Sequence, residues 1–111
     1  MRILAIEREL PVPVYRNLRE LPREEAAAVW DLQKRGFIRE IWCSKADHRA
    51  VVMLECADVA EAREHLATLP CVRASLIDFT LLELCPYDGL ESLFAGHRPP
   101  AAAAAEEPPE Y

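Results

Sequence analysis

The sequence predicts a single α+β domain with four strands and two helices in the order β-α-β-β-α-β. Leu32–Pro86 has the pattern of a helix end, a strand-turn-strand pair, a second helix and a further strand, and an apolar strand pattern precedes it at 1–10. This order is that of a ferredoxin-like fold with an antiparallel four-stranded sheet, whose helices cover one face. The other face stays open, so we expect this 111-residue chain to form a homodimer.

The composition supports a hydrophobic core and argues against several kinds of partner. Hydrophobic residues make up 51% of the chain, and 13 basic against 19 acidic side chains give a net charge of −6. An acidic surface repels phosphate backbones, so nucleic acid is not an expected partner. We see no signal peptide, no apolar run that could span a membrane and no metal-ligand spacing of cysteine or histidine. We therefore expect a cytoplasmic protein with free thiols and no metal.

The first strand is expected at 1–10, where side chains alternate between two faces. Ile3, Ala5 and Glu7 share one of these faces. The strand is therefore apolar at its start and charged towards its end.

Helix one is expected at Pro22–Arg35, which begins with a proline and two glutamates and is followed by a glycine cap. Ala26, Val29, Trp30 and Gln33 follow helical spacing, and Leu32 widens the stripe. We expect this stripe to face the sheet.

The next two strands form a predicted hairpin, with strand two at Phe37–Ser44 and strand three at Ala50–Cys56. Regular alternation along strand two places Ile38 and Trp42 on one face and Ile41 on the other. A polar turn joins the two strands.

Helix two is expected to begin at a cap formed by Asp58 and Glu61 and to end at Pro70. Strand four follows at Ala74–Leu84, where Asp78 interrupts a run of apolar residues. The predicted fourth strand thus carries one acidic side chain, Asp78, among apolar neighbours.

Beyond strand four the sequence predicts a turn and a short helix at Leu90–Phe94. The ferredoxin-like domain is expected to cover 1–97. The remaining stretch, 98–111, is rich in proline, alanine and glutamate, so we expect a disordered tail.

The stretch from Leu32 to Pro86 resembles the muconolactone delta-isomerase family, and it covers about half of the chain. Acidic character is also shared at three strand positions, namely Glu7, Glu55 and Asp78. The other matching residues are Leu32, Gln33, Gly36, Arg39, Trp42, Glu61, Glu64, Leu66, Leu69, Pro70, Ile77, Thr80, Leu82 and Pro86.

The resemblance implies a dimeric α+β barrel, with two sheets face to face, and allows assembly into a larger ring such as a decamer. It also implies a cofactor-independent isomerase or cyclase of aromatic catabolism, acting on a small unsaturated lactone or an aromatic-derived ring. The chain departs from the family where Ile3 and Ala5 replace polar residues and where Cys85 replaces a histidine. These replacements favour an alternative, a non-catalytic ligand-binding or assembly subunit. A cofactor-free monooxygenase is a third possibility within the same fold.

A double-bond shift needs a base and a group that stabilises an enolate oxygen. The candidate bases are Asp78, Glu7 and Glu55, because each lies in a predicted strand and a dry barrel favours a reactive carboxylate. A competing interpretation is that Asp78 forms a structural ion pair with a neighbour such as Arg39.

Three further residues complete the predicted substrate site. Arg39 could hold a carboxylate or an enolate, although a salt bridge across the sheet or the dimer interface explains it equally well. Trp42 could wall a pocket for a flat ligand, although a tryptophan in a strand more often belongs to a core or an interface. Tyr87 follows strand four, where it could line the mouth of a pocket.

Overall fold

The structure, a computed structural model, describes residues 1–11 and 20–94. The expected tail, 98–111, and the last residues of the expected domain lie outside this part of the chain. None of the helices in the described ranges is long and apolar enough to cross a membrane. The elements are β1 (Arg2–Glu9), α1 (Leu21–Lys34), β2 (Ile38–Cys43), β3 (Ala50–Glu55), α2 (Val59–Leu66), α3 (Pro70–Arg73), β4 (Ile77–Leu84) and a 3₁₀ helix (Asp88–Leu93).

The four strands form one sheet in the order β2-β3-β1-β4, and every neighbouring pair is antiparallel. The first strand therefore lies inside the sheet, between β3 and β4. This arrangement confirms the predicted ferredoxin-like α+β fold.

The core lies between the helices and one face of the sheet, which we call the inner face. Strand alternation places Ile3 and Ala5 of β1 on it, and neither is accessible to solvent. Leu54 of β3 and Leu32 of α1 pack into the same buried cluster. The opposite side, which we call the outer face, is not covered by a helix of the described chain and carries Leu4, Ile6, Trp42, Val51, Met53 and Leu82.

A β-bulge in β2 changes the predicted alternation of that strand. The pairing register with β3 shifts between Ile38 and Glu40, which leaves Arg39 as the extra residue. As a result, Ile38 and Ile41 both lie on the inner face. The prediction that they point to opposite faces is therefore wrong, because period-two alternation holds only while the ladder is unbroken.

The predicted cap of helix two is confirmed. The Asp58 side chain accepts a hydrogen bond from the backbone N–H of Glu61 at 2.8 Å. The Glu61 carboxylate in turn accepts one from the N–H of Ala57 at 2.7 Å, one residue before the usual position of a capping box.

The chain after α2 differs from the prediction. Pro70 is the first residue of a further short helix, α3, and β4 begins at Ile77 rather than Ala74. The backbone N–H of Leu76 donates to the carbonyl of Cys71 at 3.0 Å, which closes α3 before the strand starts. Proline suits the first turn of a helix, where an N–H has no partner within the helix, and this explains why a helix begins at Pro70 instead of ending there.

Candidate active site

A cavity of about 220 Å³ lies between the helices and the inner face of the sheet. Side chains from all four strands contribute to its wall, which is mostly apolar. The polar side chains among the described lining residues are Glu7, Glu25 and Cys71. A mainly apolar cavity with a few convergent polar groups is the usual form of a small-molecule site.

Glu7 reaches this cavity because it follows Ile3 and Ala5 on the inner side of β1. One of its carboxylate oxygens, Oε1, accepts a hydrogen bond from the backbone N–H of Ala50 at 2.8 Å. Ala50 is the first residue of β3, just beyond the last pair that β1 and β3 form. The carboxylate is thereby held in place, and no second hydrogen bond to it occurs within 1–11 and 20–94.

Glu25 and Cys71 bring α1 and α3 together at the same cavity. The Glu25 carboxylate accepts a hydrogen bond from the backbone N–H of Cys71 at 2.9 Å. Cys71 lies in the first turn of α3, where a backbone N–H has no partner within the helix. The Cys71 thiol hydrogen-bonds the same carboxylate.

The Cys71 thiol is kept in its protonated form by its surroundings. Burial, then the charge of Glu25 and its hydrogen bond, and finally the charge of Glu7 raise the pKa of Cys71 to about 12. At neutral pH this side chain is therefore a hydrogen-bond donor and a poor nucleophile. Because both carboxylates act on the thiol, the three groups form one electrostatic unit.

The other two predicted bases lie on the outer face, each beside a cation. The amino terminus donates to Glu55 at 2.6 Å and Arg2 lies 3.8 Å away. The hydrogen bond from the amino terminus lowers the pKa of Glu55. Asp78 accepts a hydrogen bond from Arg8 at 2.9 Å, so its partner is Arg8 and not Arg39, as the competing interpretation had suggested.

Asp78 also borders a second cavity of about 210 Å³, beside α2 at the β4 edge of the sheet. Arg63 lines this second cavity too, so a carboxylate and a guanidinium face the same space. Asp78 therefore keeps access to a small ligand, but in a different environment from that of Glu7.

The three predicted substrate-binding residues lie away from the inner cavity. The Arg39 side chain folds back and donates to the backbone carbonyl of Gly36 at 2.8 Å. Trp42 lies on the outer face with 66% of its surface exposed, and its indole N–H donates to Glu40 at 3.0 Å. Tyr87 is exposed after β4. None of these residues is brought together with Glu7.

Sequence reasoning missed Glu25 and Cys71. The predicted stripe of helix one included Ala26 and Trp30, but both are exposed. Val29 and Leu32 of the predicted stripe do turn towards the core, and Glu25 and Ala28 complete the side of the helix that faces the sheet. A glutamate at the i position of an i, i+3, i+4, i+7 stripe was the available signal.

The inner cavity offers a base and a single weak donor. No lysine, arginine or histidine occurs among its described lining residues, and the Cys71 thiol is the one side-chain donor there. Within the part of the chain that the structure describes, no group of three or more His, Cys, Asp or Glu could hold a metal ion. These groups permit proton transfer to and from a small apolar ligand.

No protein-family model matches the chain, and no curated protein matches it. Among solved structures, the chain is similar to the crystal structure of muconolactone isomerase, with a TM-score of 0.67 and 19% sequence identity. The similarity covers 89% of this chain and 98% of that one. The similarity in fold therefore extends beyond Leu32–Pro86 to most of the chain. The chain has a muconolactone isomerase-like α+β fold.

Proposed function

We propose that this protein is a cofactor-independent isomerase or cyclase, acting in the cytoplasm on a small unsaturated lactone or a related ring derived from an aromatic compound. The observation that carries the proposal is the position of Glu7, a fixed carboxylate in the wall of a mostly apolar cavity. The fold shared with muconolactone isomerase supports this class of reaction.

In this proposal Glu7 removes a proton from a carbon next to the lactone carbonyl. The released electron pair moves to the carbonyl oxygen and forms a dienolate. Glu7 then returns the proton to a carbon farther along the conjugated system, so the double bond moves without any net gain or loss of electrons or atoms.

The dienolate oxygen needs a hydrogen-bond donor. Cys71 can supply it by exchanging its bond to Glu25 for one to the oxygen, since its raised pKa keeps the S–H proton in place. Glu25 has the role of a positioning residue, because it holds both the backbone N–H and the thiol of Cys71.

The size of the cavity limits the substrate to a small ring. Pockets for drug-sized ligands measure roughly 300–1,000 Å³, whereas this cavity measures about 220 Å³. A monocyclic lactone suits this volume better than a fused ring system does.

The test is the activity of three amide variants towards a set of small unsaturated lactones, followed by the change in ultraviolet absorbance as the conjugation shifts. We expect Glu7→Gln to lower turnover by about 10²–10⁴-fold, while Glu55→Gln and Asp78→Asn keep most of it. Circular dichroism spectra of all three should match that of the parent protein. Full activity in Glu7→Gln contradicts the proposal, and a loss confined to Asp78→Asn places the base in the second cavity.

A second candidate function is non-catalytic binding of a small ring. It is favoured by the absence of a cation among the described residues that line the inner cavity, because an enolate then has only one weak side-chain donor. Isothermal titration that detects lactone binding, without turnover of any lactone by the parent protein, supports this alternative.

We further propose that two copies pair through their outer faces. Leu82 is 54% exposed there, and it adjoins an apolar row that includes Leu4 and Met53. A cavity of about 540 Å³, lined in part by Met53 and Leu84, lies on the same side. Such a surface is typical of an interface. Light scattering gives the mass of the assembly and therefore distinguishes a dimer from a larger ring of dimers.

A further inference from the structure

We propose that the second cavity, at the β4 edge of the sheet, is a binding site for a small aromatic carboxylate. Arg63 holds the carboxylate, and the apolar floor of the cavity holds the ring. This inference goes beyond the proposed function, because it concerns a different cavity and requires no turnover.

The second cavity brings polar and apolar groups together because it lies at the edge of the sheet. β4 is an edge strand, so side chains from both of its faces can reach the same space. Asp78 comes from the outer face and Phe79 from the inner face, while Arg63 lies on α2. A ligand in this cavity therefore contacts charged groups on one side and the core on the other.

The floor of the second cavity consists of buried apolar side chains. Leu66 and Phe79 are each 4% exposed, and Val72 adds further apolar surface. Leu66 and Phe79 also line the inner cavity, so they form a wall that the two cavities share. A ring placed on this wall replaces water by apolar contacts, which favours its binding.

The volume of the second cavity suits a single ring with a short substituent. It measures about 210 Å³, and an apolar cavity of about 150 Å³ already accommodates benzene. Benzoate adds only a carboxylate to that ring, so its size is suitable.

Arg63 gives the site its preference for an anion. Its side chain lines the cavity and has no hydrogen-bond or ion-pair partner among residues 1–11 and 20–94. Arg8, in contrast, already contacts Asp78 at 2.9 Å, so the charge of that carboxylate is partly offset. A guanidinium can donate two parallel hydrogen bonds to a carboxylate. An unpaired guanidinium beside an apolar floor therefore matches a carboxylate attached to a ring.

The experiment is an NMR titration of the full chain with benzoate and with benzamide, which has nearly the same shape but no charge at pH 7. We expect benzoate to bind at least about tenfold more tightly, because benzamide loses the charge-assisted hydrogen bonds to Arg63. The backbone amides of Ala67 and Val72 should shift more than those of Glu25 and Ala50 at the inner cavity. Equal binding of the two probes, binding of neither, or shifts centred on the inner cavity overturns the inference.

The variant Arg63→Gln tests the anion contact. We expect it to weaken benzoate binding by at least about tenfold and to leave benzamide binding unchanged. The matched control is Arg73→Gln, which removes the same charge from an exposed position of α3 that is not among the lining residues. A similar loss in both variants indicates a general effect of charge and contradicts a contact with Arg63.

The variant Asp78→Asn should have the opposite effect. It removes a negative charge that faces the cavity and releases Arg8, so benzoate binding should become about twofold to fivefold tighter. Weaker binding in this variant, with a circular dichroism spectrum like that of the parent protein, shows that Asp78 assists the ligand and contradicts the inference.

The variant Ala67→Phe tests the location without changing any charge. Ala67 lines the second cavity at the end of α2, so a phenyl group there should fill the space and abolish benzoate binding. Ala60→Phe adds the same group at an exposed position of α2 and should bind benzoate like the parent protein. Unchanged binding in Ala67→Phe overturns the inference.

Discussion

The helix-covered cavity holds the carboxylates of Glu7 and Glu25 with neutral donors. On the open outer face, by contrast, Glu55 and Asp78 each pair with a cation. Glu7 and Asp78 illustrate the difference, because they lie one register step apart across β1 and β4. Glu7 borders the helix-covered cavity, and Asp78 contacts Arg8 near solvent. Acidic residues at neighbouring positions of a sheet can therefore have opposite electrostatic environments, and the face decides which.

The physical reason is the two-residue period of a strand. A shift of one residue moves a side chain from the covered face to the open one. On the covered face a carboxylate is fixed and partly dehydrated, which suits proton transfer. On the open face it is solvated and satisfied by an ion pair, which contributes little to either stability or catalysis.

The largest expected difference between the faces concerns packing. Leu54→Ala should lower the free energy of unfolding by about 2–5 kcal/mol, since the leucine is fully buried and its removal leaves a cavity. Leu82→Ala, on the outer face, should cost less than about 0.5 kcal/mol in the isolated monomer. Urea denaturation at several protein concentrations measures both. Equal losses at low concentration contradict the assignment of the two faces.

The next prediction concerns pairing through the outer face. Leu82→Glu should convert the proposed dimer into a folded monomer, because pairing would bury a charge without a partner. Ala60→Glu places the same charge on the exposed side of α2 and serves as the control. Sedimentation velocity at micromolar concentration distinguishes the two. A parent protein that is already monomeric under these conditions defeats the dimer proposal.

The inner face should also protect its thiol. At pH 8 iodoacetamide should modify the exposed Cys43 and Cys85 at least about tenfold faster than Cys71. Burial and the neighbouring carboxylates keep Cys71 protonated. Peptide mass spectrometry after timed quenching gives the rates. Rapid modification of Cys71 in the folded protein contradicts the protection of this thiol by the inner cavity.

The same thiol gives a pH dependence with a defined sign. The pKa of Cys71 is about 12 in the folded protein, against an ordinary value of 9.0. Well below pH 9 the thiol is protonated in both the folded and the unfolded state, so it adds no pH dependence to stability there. Between these two values the unfolded chain releases the proton first, so the free energy of unfolding should fall as pH rises. Cys71→Ala should flatten this decline in urea titrations, and an unchanged slope contradicts the assignment.

The smallest expected effects concern charge removal, and they should differ in sign between the faces. Asp78→Asn removes a partly exposed ion pair and should cost between 0 and about 1 kcal/mol. Glu25→Gln relieves repulsion from Glu7 while keeping its acceptor oxygen, so it should leave stability unchanged or raise it by up to about 1 kcal/mol. Urea denaturation at pH 7 compares the two variants. A large loss of stability in Glu25→Gln shows that the charge of Glu25 itself holds α3 in place.

Part of the candidate site could be predicted from the sequence. Alternation along β1 places Glu7 beside Ile3 and Ala5, and the structure locates it on that face. The partner of Asp78 could not be predicted, because Arg8 meets it only through the register of β1 and β4, which are 70 residues apart at this contact. The same limit applies to Cys71, whose partner Glu25 is 46 residues away.

The sequence by itself determined the order of the elements, the cap at Asp58 and the inner side of β1, because each depends on residues close together in the chain. Only the tertiary structure decided the bulge at Arg39, the short helix that begins at Pro70 and the meeting of two carboxylates with one thiol. These features arise where strands and helices distant in sequence come into contact. Their geometry depends on register and packing, which local periodicity does not encode.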